Sequence, residues 1–198
     1  MFHSGNLLRN LRQHDYLHVL RKLPQFLLYA LVIQVGLNLG ANAELGKMVK
    51  DIRFSSLLLP FFTIIGTLVF SAAASLLLTS WNIYDCMAVG SGFAYYSLSS
   101  LLIVQLKEAS AGIEIASQLG AIALLANIIR EMLALFGAPL YASFFGKFAP
   151  VSVAGINSMD VCLPVISRYS GKSIVPVAII HGIILEISVP LLISLFCK

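Results

Sequence analysis

Residues 155–165 read Gly155-Ile156-Asn157-Ser158-Met159-Asp160-Val161-Cys162-Leu163-Pro164-Val165, and the fold turns on how this stretch is understood. Five residues, Gly155, Asn157, Ser158, Asp160 and Pro164, interrupt a run that is otherwise apolar between Lys147 and Arg168. Glycine and proline free main-chain groups from the helical ladder. In hydrocarbon, freed groups survive only where protein or enclosed water satisfies them. The pattern therefore predicts a discontinuous membrane helix, with polar side chains beside unwound main chain.

The rest of the chain supports a membrane setting. Of 198 residues, 59% are hydrophobic and only 11% are charged, whereas soluble domains carry roughly 25% charged residues. A second interrupted stretch, Gly90-Ser91-Gly92-Phe93-Ala94-Tyr95-Tyr96-Ser97-Leu98-Ser99-Ser100, precedes the short apolar run Leu101–Leu106. Other apolar runs cover Leu23–Leu39, Ser55–Thr79, Ile115–Tyr141 (with Pro139 marking its end) and Ser173–Phe196. Trp81 to Asp85 reads as an interfacial turn. The expected fold is all-α: a polytopic transmembrane helix bundle of about five or six membrane segments, two of them broken or re-entrant. Residues 1–22 form a basic N-terminal tail or interfacial helix, and 23–198 a transmembrane transporter domain.

The formal charge of +4 comes from Lys and Arg scattered over loops and ends, so a nucleic-acid partner is not expected. Cys86, Cys162 and Cys197 lie far apart with no CxxC or metal spacing, and read as small packing residues. P-loop, GxSxG and HExxH patterns are missing from the sequence. No catalytic residue, metal or cofactor is assigned.

Chemistry then rests on polar groups at membrane depth. Asp160 is the sharpest: an ionised carboxylate in hydrocarbon must be paired, hydrated or protonated. It either faces a cavity, where it can hold a cation or a proton, or it caps a helix starting near Val161 with Pro164 in its first turn. Gly155, Asn157 and Ser158 flank it. Arg130 and Glu131 lie within an apolar helix, and Asn127 shares their flank; they are a structural lock or a relay. His181 can titrate near neutral pH, and Glu186 follows it on a different face. Ser91, Tyr96 and Ser97 belong to the other interrupted stretch. These residues by themselves specify a polar or cationic solute. A non-transporting scaffold subunit and an intramembrane hydrolase are the alternatives.

The stretches at Gly90–Ser99, Arg130-Glu131 and Gly155–Val165, with Val175-Pro176-Val177-Ala178-Ile179-Ile180-His181-Gly182, resemble in order and spacing the C-terminal part of the LysO-type lysine exporter family. The resemblance covers roughly Leu28 to Phe196. It implies export of L-lysine and toxic analogues such as thialysine across the bacterial inner membrane, by a multi-pass protein coupled to protons. It also implies that Asp160 is the essential intramembrane aspartate. Family members carry a further N-terminal block of helices, so a second membrane subunit, or a homo-oligomer, is expected beside this chain, with membrane lipid around it.

Overall fold

The structure is a computed structural model and describes residues 54–78 and 80–197. They lie within one compact unit, Asn42–Lys198. The expected tail 1–22 and first apolar run 23–39 lie outside the described residues. All regular structure among the described residues is helical: α1 Phe54–Ala74, α2 Ile83–Gly90, α3 Tyr96–Ala111, α4 Ile113–Phe145, α5 Ala149–Ala154, α6 Leu163–Ser170 and α7 Val175–Phe196, with 3₁₀ turns at Gly155–Met159 and Lys172–Ile174.

The all-α expectation holds, but the count of five or six membrane segments does not. Among the described residues, only Ile113–Phe145 and Lys172–Phe196 are long and apolar enough to cross a membrane; Leu58–Ala74 is a shorter apolar helix. The physical reason lies in the interrupted stretches. A crossing needs about 20 continuous helical residues. The breaks at 91–95 and 155–162 cut their apolar runs into helices of 8 and 16 residues on one side, and 6 and 8 on the other. Leu101–Leu106 therefore belongs to α3 and completes no crossing. Pro139 does not end its helix either: α4 continues through it to Phe145.

Both interrupted stretches turn back on themselves. Asn82 and Asp85, at the start of α2, line one cavity with Lys107 and Ser110, near the end of α3. The chain thus enters and leaves this hairpin at the same end of the bundle. Gly112, at φ 83°, makes the turn into α4; an L side chain there would be strained. α3 then lies along the first half of α4, where a methyl on Gly120 would meet Val104 and the Ser100 carbonyl. The second hairpin, α5–break–α6, packs on the other half. Ala134 of α4 shares a buried cluster with Val151, Ala154, Cys162, Ile166, Ile174 and Ala178.

The two hairpins approach from opposite ends of α4, whose 33 residues make it about 50 Å long. Their tips meet near its middle, where the Ile156 N–H donates to the Phe93 carbonyl at 3.0 Å. Large apolar side chains stay on the outside, among them Phe70, Phe136 and Phe144, each more than three-quarters exposed. Such a surface suits lipid rather than water. The three cysteines are free and buried, as packing residues should be.

Candidate functional site

The first hairpin's tip is held from α4. Phe93 and Ala94 adopt left-handed backbone, φ 44° and 73°, which turns the chain between α2 and α3. The Ala94 N–H donates to Asn127 Oδ1 at 2.7 Å. Asn127 Nδ2 donates to Ala123 O at 2.8 Å and to Ser99 Oγ at 3.3 Å. One buried amide thus satisfies the strained turn and ties it to α3. Ser91 is fully buried and its hydroxyl bonds back to Met87 O at 2.7 Å, inside its own hairpin.

Arg130, one turn beyond Asn127, serves the second tip. Its Nε donates to Val153 O at 2.9 Å and its Nη2 to Ser152 O at 3.0 Å, occupying carbonyls at the end of α5. The negative end of a helix favours such a cation. The same guanidinium stands 5.6 Å from the centre of the Phe93 ring, within cation–π range. Arg130 thus touches both hairpins. Gly155 follows at φ 62°, with its bare Cα against the Phe93 carbonyl: a methyl there would lie 2.3 Å from that oxygen.

His181 is fully buried between three elements. Its Nδ1 lies 3.2 Å from Ser158 Oγ and its Nε2 3.1 Å from Thr63 Oγ1. Ser158 Oγ donates to Ala178 O at 2.9 Å and Thr63 Oγ1 to Leu59 O at 2.9 Å, so each hydroxyl beside the ring also has a carbonyl acceptor of its own. Ser152 Oγ, 3.0 Å from Thr63 Oγ1, extends the chain. The ring braces α1, α7 and the second tip.

Asp160 closes the 3₁₀ turn of that tip and is exposed. Its main chain is engaged: its N–H donates to Asn157 O at 3.2 Å and its carbonyl accepts from Leu163 at 3.0 Å. Its carboxylate has no ion-pair or hydrogen-bond partner among the described residues. No side chain caps α6, which starts with Pro164 in its first turn, so Asp160 does not serve as the helix cap that its spacing allowed. Asn157 beside it is half-buried; its Nδ2 is enclosed with no partner among the described residues. Glu131 is half-buried, while Tyr96 and Ser97 are exposed at the start of α3.

The expected residues therefore divide. Gly155, Asn157, Ser158, Asp160, Arg130 and His181 belong to, or contact, the second tip. Ser91, Tyr96 and Ser97 belong to the first hairpin, and Ser91 is consumed there. Thr63 was missed; nothing in an apolar run flags one threonine. Asp85 and Lys107 were missed too, and form a buried ion pair at 2.7 Å. Cys197, just past α7, is buried within reach of that pair. Its thiol is pushed up to about 11, first by burial; Asp85 adds to the rise and Lys107 opposes it.

A cavity of about 210 Å³ runs from Trp81 and Leu78 to Asn127 and Arg130, bounded by α1, α2 and α4. It reaches the junction of the two tips from the Gly112 end.

Known proteins are similar to this chain over most of its length. The lysine exporter LysO from Escherichia coli (strain K12) is 28% identical over 174 residues, 87% of this chain and 54% of its own length. The chain thus spans about half of that relative. A Haemophilus influenzae protein described as a candidate lysine exporter is 28% identical over 182 residues, 92% of this chain and 88% of its own length. No solved structure matches. The family model described as "Lysine exporter LysO", a family of exporters rather than enzymes, matches residues 1–197, and the chain belongs to that family.

Proposed function

We propose that this protein exports L-lysine and close analogues across the bacterial inner membrane as part of a multi-pass transporter, in exchange for protons. The observation that carries this reading is the state of the second tip. A carboxylate at a main-chain break, unpaired among the described residues, stands beside an amide donor with no partner. The tip around them is held by main-chain bonds at Ile156, Asp160, Cys162 and Leu163 and by the Ser158 hydroxyl. In the proposed cycle Asp160 binds the cargo's ammonium and a proton in alternation. Asn157 Nδ2 donates to the cargo's carboxylate, and the break at Gly155–Ser158 presents main-chain groups. Tyr96 and Ser97 face the same solute from the first hairpin, and Glu131 shapes the field. Arg130 holds the two tips in register, and His181 braces the second. A second membrane subunit, or a second copy of the chain, completes the unit.

Asp160→Asn keeps the shape and removes the charge. Bacteria relying on this variant should lose L-lysine efflux at least tenfold and become sensitive to thialysine, with the variant still in the membrane at normal abundance. Wild-type efflux from such cells would overturn the mechanism.

A further inference from the structure

The ion pair between Asp85 and Lys107 lies away from both tips. Asp85 sits in the first turn of α2, behind the Asn82 cap, whose Oδ1 accepts from the Asp85 N–H at 2.9 Å. Lys107 reaches it from the last turns of α3 with an N–O separation of 2.7 Å, and both residues are buried. They line a cavity of about 550 Å³ together with Ser80, Trp81, Asn82 and Ser110. That cavity shares Trp81 and Leu119 with the 210 Å³ cavity leading to Arg130 and Asn127. The ion pair thus stands where the Gly112 end of the molecule opens toward the junction of the hairpins.

A buried pair is costly to break by removing one partner, because the other charge is left bare. Exchanging one ammonium for another leaves the carboxylate paired throughout. Lys107 is a primary ammonium on a flexible butyl stem, the same group that ends a lysine side chain. Trp81 lines the same cavity, and an indole is the side chain best suited to attract a cation.

We propose that Asp85 is an ammonium-binding site on the cargo's route, and that Lys107 fills it as a tethered surrogate until a primary-ammonium solute displaces it. This deepens the exporter reading and rests on it. The pair then excludes small inorganic cations, while a solute carrying the right head group opens it.

The test uses the full chain purified in detergent, with L-lysine and n-butylammonium as probes. Lys107→Met frees Asp85. Either probe at millimolar concentration should then raise its thermal midpoint clearly, more than that of the wild type, and should leave Asp85→Asn/Lys107→Met unmoved. Equal shifts in the single and double variants would overturn the proposal. Transport in vesicles gives a second reading. Lys107→Arg strengthens the pair and should raise the KM for export at least threefold with stability kept; an unchanged KM counts against the site. The exchanged pair, Asp85→Lys with Lys107→Asp, should fold but lose export at least tenfold, and wild-type export would make the pair a plain brace. If the wild type moves no L-lysine, the exporter reading falls, and n-butylammonium stabilisation of Lys107→Met still decides the site.

Discussion

The two hairpins carry the same kind of break yet treat their polar groups in opposite ways. In the first, the carboxylate of Asp85 is paired with Lys107, and the strained turn at Phe93-Ala94 is bonded to Asn127. In the second, main-chain bonds at Ile156, Asp160, Cys162 and Leu163 hold the turn, but the Asp160 carboxylate and the Asn157 amide are left without partners among the described residues. Groups left open inside a well-bonded frame are poised for a solute, because forming their bonds requires no rearrangement of the frame. At the junction, the first tip therefore reads as a preset wall and the second as the tip whose open groups bind cargo.

The most damaging way to break this contrast is Gly155→Ala. The methyl would take up left-handed backbone and press on the Phe93 carbonyl. Strain and overpacking together should cost roughly 2–4 kcal/mol. Both hairpins depend on that contact, so thermal unfolding in detergent should move to lower temperature and export should vanish. Retention of both would mean that the tips do not need to touch.

Asn127→Leu comes next and bears on the wall alone. It strips Ala94 of its acceptor and Ser99 of its donor in a buried setting, a loss of about 1–3 kcal/mol. The expectation is a lower thermal midpoint with a KM for L-lysine close to that of the wild type in whatever fraction remains folded. Asn127→Asp, which retains the acceptor and loses the donor, should fall between the two. A KM change larger than the stability change would move Asn127 into the cargo site.

Both breaks were legible in the sequence because Gly, Ser and Pro in an apolar run have few other uses. Their pairing was not. Ile156 and Phe93 are ordinary apolar residues that meet through main-chain atoms, and main-chain contacts leave no side-chain signature. The membrane segments were overcounted for a related reason. Hydropathy averages over a break, so a re-entrant pair of short helices scores like one crossing. Asp160 was found because a lone carboxylate stands out among apolar neighbours. Asp85 was passed over because it sits beside Trp81 and Tyr84, where a charge looks interfacial, while its partner lies 22 residues away on the returning limb.

Asn157→Ala sharpens the contrast from the other side. Its Nδ2 has no partner to lose, so stability should stay within about 0.5 kcal/mol of the wild type or rise slightly. The KM for export should rise at least threefold if the amide receives the cargo's carboxylate. A stability loss comparable to that of Asn127→Leu, with KM unmoved, would make the two tips alike and remove the distinction between wall and site.

The smallest expected effect has the opposite sign. Ala94 is buried at φ 73°, a conformation that is strained for alanine and free for glycine. Ala94→Gly relieves about 1 kcal/mol of that strain. The change gives back part of the gain by loosening the unfolded chain and by deleting one buried methyl group. The net should be a stabilisation of a few tenths of a kcal/mol, visible as a slightly higher thermal midpoint, with the Asn127 bond intact because it uses the main-chain N–H. Export should slow at most modestly, since the first tip is a wall. If a more relaxed turn instead abolished export at unchanged stability, the strain at Phe93-Ala94 would be part of the transport cycle, and the first hairpin would move along with the second.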